Sequence, residues 1–321
     1  MKGKYVKVGK KYYSHKSVVR LIECHSDICQ NPEKIIRKLA QEKLADAKDI
    51  AEAMGISWDG PPFNPKILAS ILGILCEKSD ELTHSEDAEL YPVGNGNMVI
   101  RYNPKKPKAR QNFSIAHEIA HTLFPGYQDQ YKARHWSGKF DPENEVEFLC
   151  DLGASEFIMP TPIFDMDVKR MGVSLKSLQE LSRRYETSIE ATSIRMITTS
   201  IESCAMMVLS HSYKPEELDK LEREKNQLKL FNGFHWEPPS KKLRVQYFFP
   251  TENFSAYIPK YKSIEDSCPI YKVSETRHPY QGPISINISN QHIKFYGEAI
   301  ILPGTHKRGF GSNVLVFLYQ R

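Results

Sequence analysis

The stretch FSIAHEIAHTLF, residues 113–124, sets two histidines four apart with a glutamate directly after the first. On an α-helix, positions four apart are separated by about 40° and one turn, so His117 and His121 project side by side. Two imidazole nitrogens placed this way can hold one metal ion at roughly 2.0–2.1 Å each. Glu118 stands about 100° round the helix from His117, outside that coordination but within reach of a water near the metal. Two ligands and one general base is the arrangement of an HExxH metallohydrolase. Ile115, Ala116, Ile119, Ala120, Leu123 and Phe124 surround these residues. The helix is therefore expected to be buried, where imidazoles and a carboxylate are costly unless paired or metal-bound. The competing reading is an amphipathic helix that happens to carry two histidines.

A zinc ion needs a third protein ligand, and a helix expected from residue 142 to 159 offers one. Asp141 can cap it, Pro142 suits its first position, Glu143 favours its positive end, and PTP at 160–162 stops it. On this helix Glu147 and Asp151 lie four apart on one face, which continues through Ala154 and Ile158 with Cys150 beside it. Glu147 is the favoured ligand, and Asp151 can accept the free N–H of a ligating histidine and fix its tautomer. Glu145 is a second candidate ligand, on a different side of the helix from Asp151. A solvated charged pair is the bland alternative for Glu147 and Asp151.

RQNFSIAHEIAHTLF followed by EFLCDLGASEFIMP (147–160) resembles the ImmA/IrrE family of zinc metallopeptidases. That family pairs an HExxH helix with a later helix of the form E-x-x-A/C-N/D-x-x-A-x-x-L-L-M-P, whose leading glutamate falls on Glu147 and whose polar position falls on Asp151. WDGPPFNPKILASILGI and MVIRYNP also resemble the family's approach to its active-site helix, and the likeness runs from about residue 50 to 200. It implies a gluzincin-like, cytoplasmic peptidase with Zn2+ as cofactor and a protein substrate, often a transcriptional repressor. The expected mechanism has zinc on His117, His121 and Glu147, an open fourth position for water, and Glu118 as the base. Met98–Asn103 reads as a strand just before the active-site helix, and in an exposed edge position it could pair with an extended substrate. For the oxyanion, His135 ranks first among loop donors that include Tyr127, Tyr131 and Arg134.

The elements that must position these residues follow from pattern. Residues 14–55 read as helical, ISWDGPPFNP (56–65) forces a turn, and a helix is expected over Pro65–Leu72. SLKSLQELSRRYE (174–186) and TSIEATSIRMI (187–197) read as a helix pair resembling a helix-turn-helix. After about residue 200, AMMVLSH, RVQYFF, SINISN, IKFYGEAIIL and NVLVFLY read as short strands, and FHWEPPSKK (234–242) as a linker or long loop. The fold class is α+β: a mostly helical zincin-like metallopeptidase domain with a small sheet, then the helix pair and a β-rich C-terminal domain. The boundaries are an N-terminal helical segment 1–55, a metallopeptidase domain 56–200 that includes the pair at 174–197, and a domain 201–321 with a sensor or substrate-recruiting role. Some relatives carry a GAF-like sensor in that last position, and roughly 120 residues is short for that fold.

Composition narrows the class. With 40% apolar and 26% charged residues the chain is that of an ordinary soluble globular protein, long enough for two domains. The start, MKGKYVKVGKKYYSHKS, is basic but has no apolar run behind it, and ILASILGILC (67–76) is about half a membrane span. Six cysteines in 321 residues read as reduced thiols of a cytoplasmic protein. The net charge of +5 permits nucleic-acid contact without arguing for it. The expected function is a zinc-dependent endopeptidase that cleaves a regulatory protein at a specific site, such as a helix-turn-helix repressor in a stress, mobile-element or phage-related circuit. The alternatives are a zinc-binding sensor or interaction module with little proteolysis, or a DNA-binding regulator using the helix pair and the basic PKKPKAR (104–110).

Overall fold

The computed structural model describes residues 6–9, 11–58, 60–94, 97–127, 132–135, 145–228, 238, 240–288, 291–303 and 313–320. They form two compact units, one of Met1–Asp167 with Leu181–Ser188 and one of Val168–Glu180 with Ile189–Arg321. The architecture is α+β, as the patterning implies. Among the described residues, no helix is long and apolar enough to cross a membrane.

The first unit opens with a hairpin of β1 (Val6–Val8) and β2 (Lys11–Tyr13), then α1 (Lys16–Cys24) and α2 (Pro32–Ala53). The stretch expected to be helical is thus broken near residue 30, because Asn31 caps a new helix. Its side-chain oxygen accepts from the N–H groups of Glu33 and Lys34, and Pro32 starts the first turn. Helix α3 (Pro65–Ile71) leads to β3 (Leu75–Lys78), β4 (Glu86–Gly94) and β5 (Asn97–Tyr102). With β6 (Lys132–His135) these make a four-stranded sheet in the order β3-β5-β4-β6. The edge position considered for Met98–Asn103 is therefore corrected. Strand β5 pairs with β3 on one side and β4 on the other, and its Met98, Val99, Ile100 and Tyr102 are buried. So apolar a strand belongs in the middle of a sheet, with both ladders satisfied.

Helix α4 (Lys108–His121) carries the HExxH motif and packs on β4, β5 and α3. Its start has no side-chain cap. A buried ion cluster holds it instead: Arg110 donates to Asp87 on β4 from Nε (2.9 Å), with its Nη2 2.8 Å away, and Lys106 lies 2.8 Å from the same carboxylate. Asn103 fixes the turn before it, donating to the carbonyls of Thr83 and Glu86. Helix α5 (Glu145–Ile158) packs against α4 and α2. The closest passage is at Gly153, where a Cβ would lie 2.9 Å from the Ala120 Cβ and 3.2 Å from Leu123. The expected caps at 141–143 lie outside the described residues.

Next come α6 (Ile163–Met171), α7 (Leu175–Tyr185) and α8 (Ile189–Thr199), the last two being the helix pair read from the sequence. In the second unit β7 (Cys204–Ser212), α9 (Pro215–Leu228), β8 (Lys242–Pro250), α10 (Pro269–Thr276), β9 (Tyr280–Ile288), β10 (Gln291–Ile301) and β11 (Val314–Tyr319) complete the chain. The five strands form an antiparallel sheet in the order β8-β7-β11-β10-β9, and α8 packs on β7 and β8. Thr192, Ser193, Arg195, Met196 and Ile197 of α8 are buried there. One sheet face gathers Met207, Leu209, Val245, Ile270, Ile284, Phe295, Val316 and Leu318 into a core. This unit includes Val168–Glu180 as well as Ile189–Arg321.

Two expectations follow. Gly153→Val, which forces a branched side chain against Ala120, is expected to destabilise the chain by about 1–3 kcal/mol in thermal or denaturant unfolding. Tyr185 is buried, donates to Asp167 (2.9 Å) and packs edge-on to Phe164. Burial first, then the Asp167 contact, pushes its phenol well up from the usual range. A pKa raised in the folded state leaves stability intact below about pH 10, where the unfolded phenol is still protonated, and removes it as pH rises further. Unfolding midpoints measured against pH should fall above about pH 10, and less steeply in Tyr185→Phe.

Candidate metal centre

The site is built by two helices that meet at Gly153. From α4 come His117 and His121, one turn apart, with ring centroids 5.0 Å apart and planes at 72°. From α5 come Glu147, Cys150 and Asp151, at i, i+3 and i+4 on the face turned toward α4. Apolar neighbours lock both helices: Ile115, Ala116, Ile119 and Ala120 on α4, and Leu149, Ala154 and Phe157 on α5, are buried. Glu156, also fully buried on α5, accepts from Gln41 (3.1 Å) on α2 and from the Thr161 N–H (2.7 Å) beyond the helix.

Each imidazole has two occupied faces. His117 Nδ1 lies 2.8 Å from Asp151 Oδ1, and its Nε2 lies 3.0 Å from Glu147 Oε2. His121 Nδ1 lies 3.4 Å from Cys150 Sγ, and its Nε2 lies 3.9 Å from Glu147 Oε1. Both Nε2 atoms thus converge on one carboxylate, and both Nδ1 atoms have a different partner behind them. If the Nδ1–H of His117 donates to Asp151, its Nε2 carries the lone pair that metal ligation needs.

The donor set suits a divalent cation. Two ligand atoms, each about 2.0–2.1 Å from one tetrahedral zinc, are roughly 3.3 Å apart. The Nε2-to-carboxylate distances of 3.0 and 3.9 Å lie either side of that value. Donor atoms of His117, His121 and Cys150 also lie within 4.8 Å of one another. The sulfur faces Nδ1 of His121, however, on the far side of the ring from the two Nε2 atoms. Glu147 is therefore the donor placed to complete an Nε2-centred set, and Cys150 backs His121 as Asp151 backs His117. The sequence reading set Cys150 beside the acidic face without assigning it work. The signal was available, since three residues on from Glu147 is the same side of a helix.

His117 and Glu118 are fully buried, while the side chains of His121 and Glu147 keep 20% and 32% of their surface. The site is thus open on the side of His121 and Glu147. Glu145 is otherwise engaged. Its carboxylate accepts from the Ser14 and His15 N–H groups, each at 2.9 Å, and from the Ser14 hydroxyl at 3.1 Å. Of the two acids, Glu147 is the one that lies beside the histidines. His135 ends β6 with its backbone paired to Glu86. Its side chain lies outside the described residues, as do Tyr131 and the side chain of Arg134.

Comparison with known proteins agrees with the two motifs. Residues 71–196 match the family described as the IrrE N-terminal-like domain. The Radiation response metalloprotease IrrE of Deinococcus deserti is 36% identical over 91 residues, covering 28% of this chain and 32% of that protein. The protein of the same name from Deinococcus radiodurans is 31% identical over 172 residues, covering 50% and 48%. The chain therefore spans about half or less of the length of these relatives. Among solved structures, a Mycobacterium tuberculosis transcriptional regulator superposes with a TM-score of 0.49 at 11% identity, covering 90% of this chain and 81% of that one. The stretch that holds His117, Glu118, His121, Glu147 and Asp151 is thus similar to the IrrE N-terminal-like domain and, over part of its length, to these two metalloproteases.

Proposed function

We propose that this chain is a zinc-dependent endopeptidase acting on a protein substrate. The observation that carries the reading is the convergence of two Nε2 atoms on Glu147 while each Nδ1 atom has a partner of its own. His117, His121 and Glu147 would hold the ion, with Asp151 and Cys150 fixing the two rings. Zinc, when bound there, supplies Lewis acidity at the scissile carbonyl and makes a water acidic enough to attack near neutral pH. Glu118 takes the proton from the attacking water and passes it to the leaving amine. Its full burial beside His117 keeps bulk water from the carboxylate, which strengthens its interaction with nearby positive charge.

Of the two edges of the four-stranded sheet, β6 is the strand that follows His121 along the chain. An extended substrate adding to β6 would use main-chain hydrogen bonds for affinity. A site-specific role against a regulatory protein, such as a helix-turn-helix repressor, rests on the family resemblance and on relatives named for the radiation response. Six free cysteines are compatible with a cytoplasmic setting. The burial of α8 against β7 and β8 disfavours DNA reading, because a recognition helix must present its face to the groove. A zinc-binding sensor with little proteolysis gives no task to Glu118 as a base.

Glu118→Gln is expected to retain zinc, measured by metal analysis, and to lose chelator-sensitive cleavage of a helix-turn-helix repressor offered as test substrate by 10²-fold or more. Chelation of the parent protein should abolish the same cleavage, and added zinc should restore it. Retained cutting by Glu118→Gln would remove the base assignment. Asp151→Asn should weaken zinc by about 10–100-fold in chelator competition, because the neutral amide is a weaker acceptor for the Nδ1–H of His117 and its NH2 can favour the other tautomer.

A further inference from the structure

The first turn of α5 is gripped from outside the matched domain. Glu145 sits two residues before Glu147, and its carboxylate accepts the N–H groups of Ser14 and His15 and the Ser14 hydroxyl, at 2.9–3.1 Å. These donors come from the junction between β2 and α1, where His15 is the N-cap of α1 and itself accepts from the Ser17 N–H (3.3 Å). On the other side of Glu147, Phe148 has the Lys11 ammonium 5.4 Å from its ring centroid. Lys11 is in turn fixed by Glu33 on α2 (2.5 Å), whose carboxylate also takes the Tyr13 hydroxyl (3.5 Å). Residues on both sides of Glu147 are therefore held by one short segment, Lys11–His15, that lies before the matched residues 71–196. A carboxylate that takes several backbone N–H bonds is a rigid fastening, since those donors sit on the chain and not on flexible side chains.

We propose that this N-terminal segment is a clasp that sets the position of Glu147 toward the two histidines, with Glu145 and Ser14 as positioning residues. The metal centre of this chain then depends on residues about one hundred positions upstream of the motif helices, and whatever displaces the hairpin loosens the third ligand. The inference rests on the zinc reading given above. Glu145 itself touches neither histidine; it acts through the backbone of α5.

The test is zinc affinity of the full chain, by competition with a chromogenic chelator, together with the apo unfolding midpoint. In Glu145→Gln one acceptor oxygen becomes an NH2 group that faces backbone donors, and zinc is expected to bind about tenfold more weakly. Glu42→Gln, the same charge change at the exposed Lys38 pair on α2, should bind zinc as the parent does. Leu68→Ala serves as a destabilised control, since Leu68 is buried in α3 away from the clasp. Affinity of Glu145→Gln within twofold of the parent would overturn the clasp, provided that His117→Ala has lost zinc. An equal loss in Leu68→Ala would also overturn it, by reducing the effect to stability. Full zinc binding by His117→Ala would instead remove the metal reading beneath the proposal.

Discussion

A carboxylate on one helix reaches an imidazole on another only when the two backbones pass close together, and in this chain that passage is set at Gly153 against Ala120. No side chain larger than hydrogen fits at Gly153 without displacing α4. One turn toward the N-terminus of α5, at this separation, stand Cys150 and Asp151, and one turn further Glu147. The separation that admits the glycine is thus the separation that brings three α5 side chains to two α4 histidines. Packing and chemistry share one dimension here, because both are read from the same pair of helix axes.

The two histidines are tolerated in an apolar surround because each of their ring nitrogens meets a polar group. His117 is fully buried yet contacts a carboxylate through each nitrogen, and His121 does so through a carboxylate and a thiol. The two rings are not equivalent. A carboxylate is a strong acceptor for an imidazole N–H and a thiol sulfur a weak one, so His117 is held more firmly in its tautomer than His121. The more firmly held ring is the deeper one, and the more loosely held ring is on the open side.

Much of the site was legible in the sequence. Four-residue spacing on two helices needs only helical periodicity to place His117 with His121 and Glu147 with Asp151, and the contacts found follow that spacing. The helix pair and the five C-terminal strands were legible for the same reason, since alternation and amphipathic period are local. What was not legible was long-range. The edge position considered for Met98–Asn103 failed because sheet order is fixed by β3, a short strand of sequence LCEK, and by β4, whose EDAELYPVG mixes acidic residues and a proline into its strand pattern. The break between α1 and α2 was hidden by continuous helical composition, although Asn31–Pro32 marks it. The engagement of Glu145 by Ser14 and His15 joins residues more than a hundred apart, and no pattern within a window reports such a contact.

The cluster of Asp87, Lys106 and Arg110 at the start of α4 has a further consequence. Surface ion pairs weaken as salt is added, because mobile ions screen charges beyond about 8 Å at physiological ionic strength. Asp87 is 1% exposed and Lys106 9%, so counter-ions cannot enter between them. Arg110, the member of the cluster on α4, keeps 28% of its side chain exposed, so salt acts on this anchor only from its outer side. The placement of that helix should therefore change little between dilute buffer and moderate salt.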